Sequence, residues 1–124
     1  MTPARIPVVV LVEEETDERL FIAEHLRDAG FDVLQAEDTT TGLRLLEEHG
    51  EAEALVTDAH VPGDIDGHEL ARLARERWPE MTVVMMSGHS DETSGPLPPG
   101  AVFVSKPDLT SRLVPVLRSA MDRD

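Results

Sequence analysis

Five short apolar runs punctuate the chain, at residues 6–12, 32–36, 54–58, 82–87 and 101–105. They are rich in Val, Leu and Met and nearly continuous in apolar character, which is how strands covered on both faces read. Helical spacing fills the intervals. Ile22, Ala23, Leu26 and Ala29 share one face of a helix predicted over 17–29, with Thr16 as its N-cap and Gly30 as its stop. A second helix is predicted over 40–49, ending at Gly50. A third, over 67–77, groups Leu70, Leu73 and Ala74 and ends before Pro79. A fourth, over 109–122, groups Leu113, Val116, Leu117 and Ala120, with Asp108 as a cap. Pro115 inside that last span predicts a late start or a kink, because proline lacks the N–H the helix needs.

The alternation breaks once. From Gly88 to Gly100 the chain reads Gly-His-Ser-Asp-Glu-Thr-Ser-Gly-Pro-Leu-Pro-Pro-Gly. Such a stretch leaves room for one helical turn at most, so the helix between the fourth and fifth strands is expected to be shortened or absent. Everywhere else strand follows helix with short links. That order implies an α/β fold, a parallel sheet with helices on both faces and right-handed crossovers. Sheets of this kind bind ligands outside the carboxyl ends of their strands.

The polar residues that end the apolar runs therefore belong together. The first run ends at Glu13 and Glu14, the third at Asp58, the fourth at Ser87 and the fifth at Lys106. Asp58 stands out, since a carboxylate at the mouth of a buried strand is costly unless its charge is used. Three carboxylates in one cleft repel each other until a cation joins them, and a hard divalent ion, Mg²⁺ above all, suits an all-oxygen donor set. Glu13 and Glu14 also fit a plain acidic helix start, favoured by the helix dipole. Ser87 suits a phosphoryl contact or a loop cap equally well.

Size and charge narrow the class. With 124 residues, 40% of them hydrophobic, the chain is expected to be a single domain, residues 1–124, with no output domain. No apolar stretch approaches the ~20 residues of a membrane span. No signal-peptide pattern opens the chain. Cysteine is absent, which excludes disulfides and thiolate metal sites and agrees with a cytoplasmic location. A net charge of −14 disfavours nucleic acid and anionic membranes as partners. Lys106 is the sole lysine, placed after an apolar strand and before Pro107. A cis Lys-Pro step is one way to aim it at the cleft.

Four motifs now carry a specific resemblance: Val-Leu-Val-Glu-Glu-Glu at 10–15, Leu-Val-Thr-Asp-Ala-His-Val-Pro-Gly at 55–63 with Asp66-Gly67, Met-Met-Ser-Gly at 85–88, and Phe-Val-Ser-Lys-Pro at 103–107. In that order and spacing the chain resembles the CheY-like receiver domain of response regulators in two-component signalling, over essentially its whole length. The resemblance implies a doubly wound, flavodoxin-like sheet of five strands in the order 2-1-3-4-5. It implies Asp58 as phosphoacceptor. It also implies Mg²⁺ held by Glu13, Glu14, Asp58 and the backbone carbonyl of His60, Lys106 as the phosphoryl-binding lysine, and Ser87 and Phe103 as switch residues. Its implied partners are a sensor histidine kinase or a histidine phosphotransfer protein, together with a downstream protein target. Beyond self-phosphorylation on aspartate and slow dephosphorylation, no enzyme activity is expected.

Several residues depart from the family pattern. Glu14 stands where an aspartate usually ligates the metal. The Pro62–Gly67 loop is one residue longer than the commonest form. Asp108 replaces a frequent aromatic, and the Pro/Gly stretch replaces a helix of the signalling face. His60 and His89 each lie two residues beyond a site residue, where they either tune hydrolysis of the acyl phosphate or are simply exposed. A degenerate receiver that binds partners without phosphorylation is the alternative function. An aspartyl phosphatase is disfavoured by the missing Asp-x-Asp motif, and a Rossmann nucleotide site by the missing Gly-x-Gly-x-x-Gly.

Overall fold

The computed structural model describes residues 6–88 and 97–121. Five strands form one parallel sheet: β1 (Val8–Val12), β2 (Asp32–Ala36), β3 (Ala54–Asp58), β4 (Thr82–Ser87) and β5 (Val102–Ser105). Their spatial order is β2-β1-β3-β4-β5, so the central strand is β3. The helices are α1 (Thr16–Asp28), α2 (Thr39–Glu48), α3 (Gly67–Arg77) and α4 (Leu109–Met121). This is the doubly wound arrangement expected. No helix lies between β4 and β5 among the described residues. Most of the Pro/Gly stretch, including His89, falls outside them.

The nearly unbroken apolar strands are explained by two cores, one on each face of the sheet. Side chains alternate along a strand, so successive residues serve opposite faces. Val9 and Leu11 of β1, Ala54 and Val56 of β3, and Val84 and Met86 of β4 meet Ile22, Ala23 and Leu26 of α1 and Leu113 and Leu117 of α4. Their neighbours Val10 and Val12, Leu55, and Val83 and Met85 meet Leu46 of α2 and Leu70, Ala71 and Ala74 of α3. Each large aliphatic side chain buried in this way contributes roughly 1.5–3 kcal/mol. The two half-cores therefore hold the carboxyl ends of β1, β3 and β4 in a fixed row.

Local differences from the sequence reading have simple causes. The first strand begins at Val8, and Ile6 is exposed. Helix α1 starts at Thr16, and its cap is Glu15, whose carboxylate accepts the Asp17 N–H. Asp108 lies in a 3₁₀ turn, Lys106–Asp108, and its carboxylate accepts the Ser105 hydroxyl. Helix α4 passes through Pro115 without a delayed start. Pro115 is exposed on the outer side of the helix, so its ring displaces no core side chain. Leu73 is only half-buried, and Ala71 takes the inner position on α3. The Lys106–Pro107 peptide is not cis.

Helix α2 is set by Asp38, whose carboxylate accepts the Thr41 N–H at 2.7 Å. That hydrogen bond holds the Asp38 pKa below its ordinary value of 3.8. A lowered carboxylate pKa stabilises the fold at pH values above the unfolded value and is lost as pH falls through the folded one. Asp38→Ala is expected to reduce unfolding free energy by about 1 kcal/mol at pH 7. In urea titrations at successive pH values, the gap between wild type and variant should shrink below pH 3.8.

Candidate functional site

Parallel strands end on the same side, so β1, β3, β4 and β5 deliver Glu13, Asp58, Ser87 and Lys106 to one edge of the sheet. The Lys106 ammonium lies 2.7 Å from Asp58 Oδ2 and 3.0 Å from Glu13 Oε1. It also donates to Glu18 Oε1 at 2.7 Å. Asp58 is 6% exposed and Glu13 2%. Burial and charge thus coincide as the strand-end pattern demands, with the lysine compensating two buried carboxylates that would otherwise repel.

Each carboxylate is further fixed by backbone donors. Asp58 Oδ1 accepts the His60 N–H at 3.0 Å, and Glu13 Oε2 accepts the Glu15 N–H at 2.9 Å. Both strands extend their ladders past their last regular residue, through Glu13 N–H to Ala36 and Ala59 N–H to Met86. The turn after β3 is tight for a reason: a Cβ on Gly67 would lie 2.1 Å from the Asp58 carbonyl oxygen. Only glycine lets the start of α3 approach the end of β3 this closely.

Glu14 does not join the cluster. Glu13 turns into the cleft, and the next side chain, Glu14, is exposed. Among the described residues no three His, Asp or Glu side chains are grouped as a metal cage. Of the three carboxylates expected to meet, Glu13 and Asp58 share the lysine, while Glu14 faces solvent. Ser87 is buried at the end of β4. Phe103 is half-buried on β5, paired in register with Met85. His60 is exposed, and its contact with Asp58 is through the backbone.

Three supporting residues escaped the sequence reading. Glu18 is the first; its place in the first turn of α1 looked like ordinary helix-start acidity. The second is Arg19, which donates to the Glu13 carbonyl at 3.0 Å and to Gln35 Oε1 at 3.2 Å, fixing the loop that carries Glu13. The third is Thr39, fully buried, whose hydroxyl donates to the Ile65 carbonyl at 2.6 Å while its N–H meets Pro62. A buried threonine at a helix start, beside a Pro/Gly loop, was the available signal for it.

Burial and neighbouring charge act together on Glu13 and Lys106. Burial raises the Glu13 pKa, the Glu15 N–H and Lys106 work against that rise, and the Asp58 charge adds to it. For Lys106, burial favours the neutral form, but hydrogen bonds to Asp58, Glu18 and Glu13 outweigh it and raise its pKa. The lysine is therefore a permanent cation.

Comparisons with known proteins point to one family. Residues 9–115 match the response regulator receiver domain family. The chain belongs to that family, a class of signalling modules of two-component systems. It is 33% identical over 118 residues to an NtrX-like response regulator of Rickettsia conorii, covering 92% of this chain and 25% of that protein. The chain thus spans about a quarter of the NtrX-like proteins it matches. It is 29% identical to the response regulator receiver protein CpdR of Brucella abortus, covering 90% of this chain and 98% of CpdR. Among solved structures, a response regulator receiver protein from Sinorhizobium medicae superposes with a TM-score of 0.84 at 26% identity, covering 95% and 96% of the two chains. The receiver domain of the hybrid histidine kinase CckA gives 0.78 at 29% identity, covering 93% and 99%. No helix among the described residues is long and apolar enough to cross a membrane.

A raised carboxyl pKa has a definite stability signature. Below 4.5, the ordinary value, Glu13 is protonated in both the folded and unfolded chain, and its burial carries no charge penalty. As pH rises through the raised folded value, the fold must hold a buried carboxylate, and stability falls. Glu13→Gln, in buffer without divalent cations, is therefore expected to unfold at a higher temperature than wild type at pH 7. The two melting curves should converge as pH drops below 4.5.

Proposed function

We propose that this receiver accepts a phosphoryl group on Asp58 and signals by altered partner binding. The observation that carries the reading is the Asp58–Lys106–Glu13 cluster, with the lysine 2.7 Å from the carboxylate that would be phosphorylated. In the reaction, an Asp58 oxygen forms a bond to phosphorus as the bond to the donor breaks. With a histidine donor that broken bond is P–N, and the imidazole keeps the electron pair. Lys106 pairs with a phosphoryl oxygen, and the Ser87 hydroxyl donates to another. Phosphorylation replaces one carboxylate charge by roughly −1.5 to −2 on the phosphoryl group. The added charge biases Ser87 and Phe103 toward a second arrangement and so alters the docking surface.

The residues present suit a hard divalent cation. Glu13 Oε1 is buried, and apart from its ion pair with Lys106 it makes no aligned hydrogen bond. It faces Asp58 in an all-oxygen site beside the His60 backbone. Glu13, Asp58 and the His60 carbonyl would hold Mg²⁺, with water completing its shell, as this ion often requires. When bound it neutralises phosphoryl charge. Glu14 is exposed beside this site.

The partners that fit are a histidine kinase or histidine phosphotransfer protein upstream and a protein target downstream. The match to CpdR over nearly its whole length supports a response-regulator receiver, and the match to the receiver domain of the hybrid histidine kinase CckA supports a histidine kinase as partner. A cytoplasmic location is part of the same reading.

Incubation with Mg²⁺ and acetyl phosphate should give a phosphoryl mass adduct on wild type that Asp58→Asn abolishes. Lys106→Met should slow its formation at least ten-fold, since it removes the ammonium paired with the acceptor. A wild-type protein with no adduct at saturating Mg²⁺ would support the phosphorylation-independent module instead.

A further inference from the structure

Lys106 has three N–H donors and, within 3.0 Å, three carboxylates: Asp58, Glu13 and Glu18. Two of those N–H groups donate hydrogen bonds, to Asp58 and Glu18, and Glu13 Oε1 faces the ammonium as an ion pair. A phosphoryl oxygen arriving at Asp58 competes with these partners for the lysine. Asp58 remains at the reaction centre. Glu13 is 2% exposed, so leaving it without the ammonium strands a buried charge. Glu18 has a side chain 48% exposed, so water replaces the lysine there at little cost.

We propose that Glu18 is a positioning residue that competes with phosphoryl oxygens for Lys106 and so sets how readily small anionic donors charge Asp58. Glu18 sits on the first turn of α1, where the helix dipole favours its carboxylate and the backbone fixes its direction. It is the only one of the three carboxylates not carried at the end of a strand, and it approaches the lysine from the outer side of the cleft. A donor that brings its own cation to Glu18 frees Lys106; a small anion brings none. This inference rests on Asp58 being the phosphoacceptor, and its test separates the two ideas.

The experiment measures beryllium fluoride binding in the presence of Mg²⁺ by NMR titration of wild type, Glu18→Gln and Asp17→Asn. Asp17 is the adjacent acid, outside the lysine's three partners, and its replacement removes the same charge. Glu18→Gln should bind beryllium fluoride about two- to five-fold tighter than wild type, the range an exposed ion pair supports. Asp17→Asn should change affinity by less. With acetyl phosphate, Glu18→Gln should lower the half-saturating donor concentration in the same proportion and leave the maximal rate unchanged. Equal affinity in wild type and Glu18→Gln, or equal tightening by Asp17→Asn, overturns the role of Glu18 and leaves the phosphoacceptor standing. A wild-type protein that shows no response to beryllium fluoride overturns both.

Discussion

One ammonium group holds the functional end of this molecule together. Lys106 lies 48 residues from Asp58 and 88 from Glu18 in the chain, yet it bonds both. Its contacts join the ends of β1, β3 and β5 to the first turn of α1. Two buried carboxylates side by side are unfavourable in a low-dielectric cleft, and the lysine is what makes their approach tolerable. The arrangement is balanced rather than inert. Under the proposed function, the charge that reconciles Glu13 with Asp58 is also the charge that would pair with a transferred phosphoryl group.

That balance depends on the sheet beneath it. Alternate side chains along β1, β3 and β4 feed two separate cores, one against α1 and α4 and the other against α2 and α3. A strand packed on both sides has no freedom to tilt without opening a cavity on one of them. The residues just past its end are then positioned to within hydrogen-bond tolerance. Arg19 and the backbone donors of Glu15 and His60 complete the positioning at the level of single atoms.

Most of the architecture was legible because burial on both faces leaves a plain record: short apolar runs, stopped by glycine or polar residues, at regular intervals. Asp58, Glu13 and Lys106 were legible for a related reason, since charge at the end of such a run is expensive. What escaped was local. The start of α1 shifted by one residue because Glu15 can cap as well as Thr16, and both precede the same acidic turn. The divergence of Glu14 from Glu13 turns on backbone direction after a strand, which composition does not encode. Glu18 and Arg19 were hidden because a charged residue on an outer helical turn has the same appearance whether it faces water or a lysine.

The turn between β3 and α3 is held by backbone crowding as much as by hydrogen bonds. Its entrance is fixed where Gly67 abuts the Asp58 carbonyl, and its middle is tied to α2 through Thr39, which binds Pro62 and Ile65. Gly63, at φ 134°, lies against Thr39 with no room for a side chain. With no space for a side chain at 63 or 67 and Thr39 bound between them, the loop has one path past the end of β3.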